Sequence, residues 1–173
     1  MNIFVLGSSP EESARLQCDK HIVKMPLETA QMLCSALHLC GSSGKYKPTH
    51  QNHPCSVWAR ESRDNFDWLC HHGFALCDEY TNRYGKVHAC LEVIQDCFHK
   101  RESIPAGSLT PFAQAMPDIY KRDDAVTAYR LYYVEAKQSV ADWKFCDPPE
   151  WWVVKEPEPV PLTGIELWRQ SLG

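Results

Sequence analysis

Between Cys18 and Leu33 the chain reads CDKHIVKMPLETAQML, a helical run that carries His21, Lys24, Glu28 and Gln31 along one line. At about 100° per residue these four side chains fall within one quarter of the circumference, and Ser35 continues the line. Val23, Leu27, Ala30, Leu33 and Leu37 cover the opposite side, so the spacing predicts a buried helix. A polar line on a buried helix has to be satisfied by partners or used by a ligand. The line is therefore the first candidate site, with a cavity expected along it.

The helix starts at a capping signature. Ser9, Pro10 and Glu12 supply a hydroxyl cap, a proline at the first helical position and a carboxylate three residues after the cap. The predicted helix runs from residue 10 to 39, with a kink at Pro26 and a stop at Gly41. MNIFVL before it predicts one short strand. Asn52 or His53 before Pro54 starts a second helix that runs to Tyr84, ahead of Gly85. Trp58, Ser62, Asn65, Leu69, His72, Leu76 and Tyr80 share one face of it, with Asn65 the polar intruder. Two more helices are expected over 86–99 and 123–143, the latter turning Val126, Tyr129, Tyr133, Ala136 and Val140 inward. DPPEWWVVKEPEPVP then holds five prolines in fifteen residues and predicts extended backbone. The expected architecture is an all-α, compact single-domain helical bundle over 1–154 with an extended Pro/Trp-rich C-terminal segment. Trp152 anchors that segment, and 155–173 forms a mobile tail.

A chain of 173 residues with 44% hydrophobic content can bury one substantial core. Its net charge of −4 argues against a broad basic face for duplex DNA but leaves room for a local basic pocket. Nine cysteines, an odd number without a repeated framework or a C-x-x-C, predict free thiols in a reducing cytoplasm. His50, His53 and Cys55 show no standard zinc-ligand pairing, so neither a metal nor a cofactor is expected. No apolar run spans a bilayer and MNIFVLGSSPEES lacks the features of a signal peptide, which predicts a soluble cytoplasmic protein without a membrane partner.

From His53 to Gly85 the second helix carries the pattern HP, W, NF-x-WL, H, L-x-x-EY and R-x-G. On the first, Asp19 and His21 are followed by Glu28, and Pro149, Trp151 and Trp152 lie near the other end. Taken together, these segments resemble the phage pyrimidine-dimer DNA glycosylase family. The resemblance implies a compact all-helical fold and a site on the first helix. It implies that an N-terminal amine attacks the sugar C1′, expels a pyrimidine and forms an imine that undergoes strand-cleaving elimination, with Glu28 as the supporting carboxylate and His21 beside it. Leu27 and Gln31 stand where the family has arginines. The family's nucleophile is the amine of a small residue exposed by Met removal, whereas Asn2 disfavours that removal and leaves the Met1 amine in its place.

Lys24 is a second candidate amine, because a lysine walled by apolar groups becomes nucleophilic. Its alternative is an ion pair with Glu28 one turn away. His21 can orient Glu28, bind phosphate or satisfy a buried hydrogen bond. Gln31, Lys20, His50, His53, Asn65, Arg83 and Lys86 are the candidate substrate-binding residues, with solvated loop and helix capping as the plain alternatives for the histidines and Arg83. Two functions follow. One is a DNA N-glycosylase and abasic-site lyase acting on a damaged or modified pyrimidine nucleotide. The other is a protein that binds, sequesters or cleaves a small nucleotide, such as a defence signal, in the same cavity.

Overall fold

The computed structural model describes residues 1–153. Among them are six α-helices and no strand: α1 Pro10–Arg15, α2 Asp19–Leu39, α3 Pro54–Glu61, α4 Arg63–Tyr84, α5 Leu91–His99 and α6 Ala125–Ala136. Two 3-10 turns, Arg101–Ser103 and Asp118–Tyr120, interrupt the connection between α5 and α6. The fold is the all-α bundle that the sequence predicts. The tail expected over 155–173 lies outside the described residues.

α2 is the central element and packs against α3, α4 and α5. Its buried side is made by Ile22, Met25, Thr29, Met32, Leu33 and Ala36. Gly73 brings α4 close to it, since a Cβ there would lie 2.8 Å from Thr29 Cγ2 and 3.0 Å from Ile94 Cδ1. The outward face corrects the expectation of burial all round. Val23 and Leu27 are exposed, on a face they share with the exposed Lys20 and Lys24.

Helix boundaries follow local hydrogen bonding. Ser9 Oγ accepts from the Glu12 N–H at 3.1 Å and starts α1. The single helix expected over 10–39 is instead two: Cys18 is extended and the Tyr133 hydroxyl takes its N–H, while α2 runs on through Pro26. The helix expected from Pro54 to Tyr84 also divides, at Ser62, whose extended backbone (φ −149°) closes α3 while its hydroxyl caps α4 by accepting from Asn65 N–H. The face from Trp58 to Leu76 stays buried across that break. Gly85, at φ +67°, ends α4 in the left-handed region.

Three further expectations are corrected. MNIFVL is not a strand, because no other strand exists among the described residues to pair with it. Residues 2–6 form a buried irregular insert, with Leu6 O accepting from Arg130 Nε at 2.9 Å. α5 begins at Leu91 rather than at 86, since His88 Nδ1 takes the Cys90 N–H outside any helix. α6 ends at Ala136, which is exposed, so its inner face is Ala128, Tyr129 and Tyr133. Beyond it the chain returns to place Trp151 and Trp152 edge-on to Tyr133, each with ring centroids 6.1 Å away.

Candidate active site

The buried N-terminal insert delivers the chain end to α2. Asn2 fixes it: its Oδ1 accepts from the Ile3 and Phe4 N–H groups, and its Nδ2 donates to Ala115 O at 3.0 Å. Phe4 holds φ +36°, a conformation that side chains rarely adopt and that costs energy. In this setting the Met1 α-nitrogen lies 3.6 Å from Glu28 Oε2. The Asn2 N–H donates to the same oxygen at 3.1 Å, and Lys24 Nζ lies 3.0 Å from Oε1. The Met1 and Glu28 side chains are only 2% and 12% exposed, whereas that of Lys24 is 68% exposed. Lys24 is thus the solvent-facing half of an i,i+4 pair, without the apolar wall of a desolvated amine.

His21 sits beside this group, stacked on Phe4 with centroids 4.6 Å apart. The buried Tyr133 hydroxyl accepts from Cys18 N–H and is hydrogen-bonded to His21 Nδ1. Burial, reinforced by the positive charge of Lys137, pushes His21 down to about 4, so the ring is neutral near pH 7. A cavity of about 180 Å³ opens here, lined by Met1, Asn2, Phe4, His21, Lys24, Met25, Glu28, Ala115, Tyr132 and Lys137. An amine beside a shielded carboxylate can pass it a proton and attack an electrophilic carbon.

The remaining candidates lie at graded distances from this centre. His53 caps α3, and its pKa is lowered by burial, then by the Met1 amine and His50, with Glu28 opposing. Gln31 is half-buried but does not line the cavity; its carbonyl accepts from Ser35 Oγ at 2.7 Å. His50 is exposed, at φ +47°, and bonds Thr49 Oγ1. Lys20 is exposed over a separate hollow shared with Val23, Tyr84 and Phe145, and Lys86 is exposed after Gly85. Asn65 is bound on both sides of its amide, to Trp58 O, Thr110 Oγ1 and Thr110 N–H. Arg83 is buried against Asp19 and Glu79 and donates to the Gln17 and Arg15 carbonyls. No group of three His, Cys, Asp or Glu among the described residues is placed to hold a metal ion, and all nine cysteines are free thiols.

Phe4, Ala115, Tyr132 and Lys137 line the cavity without having stood out in the sequence. The available signal was the register of α6, where Tyr132 and Lys137 flank the buried Tyr133.

A family model described as pyrimidine dimer DNA glycosylase matches residues 1–92, just over half of the 173-residue chain. The chain belongs to the pyrimidine dimer DNA glycosylase family. No curated protein and no solved structure matches it. The segment matched to the glycosylase family contains Met1, His21, Lys24, Glu28 and His53, whereas Ala115, Tyr132 and Lys137 come from beyond it. The amine and the carboxylate therefore lie in the family segment, and one wall of the cavity is built by the rest of the chain.

Proposed function

We propose that this protein is a DNA N-glycosylase and abasic-site lyase acting on a damaged or modified pyrimidine nucleotide, with the Met1 α-amine as nucleophile and Glu28 as the catalytic carboxylate. The observation that carries the proposal is the 3.6 Å separation of Met1 N and Glu28 Oε2 inside a shielded polar cavity of a family member. Glu28 accepts a proton from the ammonium, and the freed lone pair bonds to the sugar C1′. The bond from C1′ to the base breaks, and the base departs with the electron pair and takes the proton back from Glu28. As the sugar ring opens, the C1′–O4′ bond breaks, O4′ takes one proton from the attached nitrogen, and a protonated C1′=N imine is left on Met1. His21, neutral and oriented by Tyr133, supplies an uncharged imidazole to the cavity wall.

The small-nucleotide alternative is less well served by this cavity. Small-molecule pockets generally run to about 300–1,000 Å³, and the space here is about 180 Å³. That volume suits a sugar presented by a longer strand. The test is incision of a duplex containing a single cyclobutane pyrimidine dimer, alongside one containing a single abasic site. Incision of both at the lesion, and of neither undamaged control, is expected. No incision of either lesion would reject the reading.

A further inference from the structure

The cavity brings together three ammonium groups, those of Met1, Lys24 and Lys137, and one carboxylate, Glu28. Glu28 already engages the first two, one on each oxygen. Lys137 instead rests over aromatic faces, its Nζ 4.7 Å from the Tyr132 ring centroid and 6.0 Å from that of Phe4. Such contacts orient an ammonium without neutralising it. His21 is neutral and adds no countercharge or further cation at pH 7. In a chain of net charge −4, this small cavity carries a local surplus of positive charge. An occupant therefore gains by bringing an anion to the α6 side, and in a DNA strand whose C1′ meets Met1 the available anions are the flanking phosphates.

We propose that Lys137, held by Tyr132 and Phe4, binds the phosphate on the 3′ side of the reacting sugar and assists its departure in the lyase step. This rests on the glycosylase and lyase reading given above. In that step the C2′–H bond of the imine-linked sugar breaks and its proton passes to Glu28, the carboxylate that lines the cavity. The electron pair forms the C2′=C3′ bond, and the C3′–O bond breaks with its pair leaving on the phosphate oxygen. Charge builds on that phosphate as the bond breaks, so a cation fixed beside it stabilises the transition state more than the bound state. Formation of the imine does not move charge onto the phosphate. Lys137 consequently separates the two halves of the reaction.

The test uses the full chain and a duplex with one abasic site at saturating protein. Imine formation is read by borohydride trapping, and elimination by the rate of strand cleavage. Lys137→Ala should trap within about twofold of wild type and cleave about 10²-fold more slowly, while Lys137→Arg should recover most of the cleavage. Parallel loss of trapping and cleavage, or cleavage at the wild-type rate in a folded Lys137→Ala, would overturn the assignment and leave the glycosylase reading standing. Failure of wild type itself to trap or cleave would remove both.

Discussion

The α-nitrogen of Met1 stands 3.6 Å from Glu28 Oε2, and the next backbone nitrogen, that of Asn2, donates to the same oxygen at 3.1 Å. One carboxylate oxygen thus holds both the chain end and the peptide that follows it. An extension before Met1 converts the amine into an amide and has to pass through a cavity that Met1 itself lines. A Gly-Ser extension should abolish incision of an abasic duplex. Lys24→Ala, which removes an exposed partner, should retain at least about a third of it. Strand-cleavage rates of the two variants check this directly.

Glu28→Gln keeps the side-chain size and an oxygen for the Asn2 N–H, and removes the charge that takes the proton. Loss of a general acid or base costs about 10²- to 10⁴-fold. The variant should fold with unchanged helical circular dichroism and lose turnover in that range. Near-normal incision by Glu28→Gln would move the chemistry elsewhere.

Much of this arrangement is legible in the sequence where contacts are local. The line from His21 to Gln31 and the pairing of Lys24 with Glu28 follow from helical period, and the capping signatures at Ser9 and His53 mark true helix starts. Ser62 escaped that logic, because a residue in the middle of a continuous buried face serves here as both terminus and cap. Phe4 and Lys137 were harder still. They meet across 133 residues of chain, and neither position has a periodic pattern that points to the other. Asn65 and Arg83 show the reverse difficulty: a polar side chain on an apolar face signals burial with partners as readily as it signals a ligand.

Burial also sets an acid sensitivity. His21 is held down at about 4 and His72 at about 3, in each case by desolvation first, against about 6.5 in the unfolded chain. Below pH 6.5 the unfolded state takes up protons that these buried rings refuse, so stability is full above that pH and falls as the solution becomes more acidic. At pH 5, above most carboxylate titration, each histidine should account for a loss of about 2 kcal/mol. Urea midpoints at pH 7.5, 6 and 5 should decline in step, and a flat profile over that range would contradict the assignment.

Arg83 joins α4 to the start of α2 through Asp19, with both side chains nearly sealed from solvent. Arg83→Met removes the cation and leaves Asp19 buried with Lys144 N–H as a remaining donor at 2.6 Å. Breaking such a pair typically costs about 3–5 kcal/mol. Chemical denaturation should show that loss, and Asp19→Asn in the same chain should recover part of it. Incision per folded molecule should stay close to wild type, which would place Arg83 in the scaffold.

The most direct measurement maps the covalent intermediate. Wild-type protein is incubated with abasic duplex, the imine is reduced with borohydride, and the cross-linked peptide is sequenced by mass spectrometry. The adduct should lie on the Met1 α-nitrogen and disappear in the Gly-Ser-extended chain. An adduct on Lys24, or strand cleavage with no trappable adduct, would contradict the pairing of Met1 with Glu28 as the chemical centre of this protein.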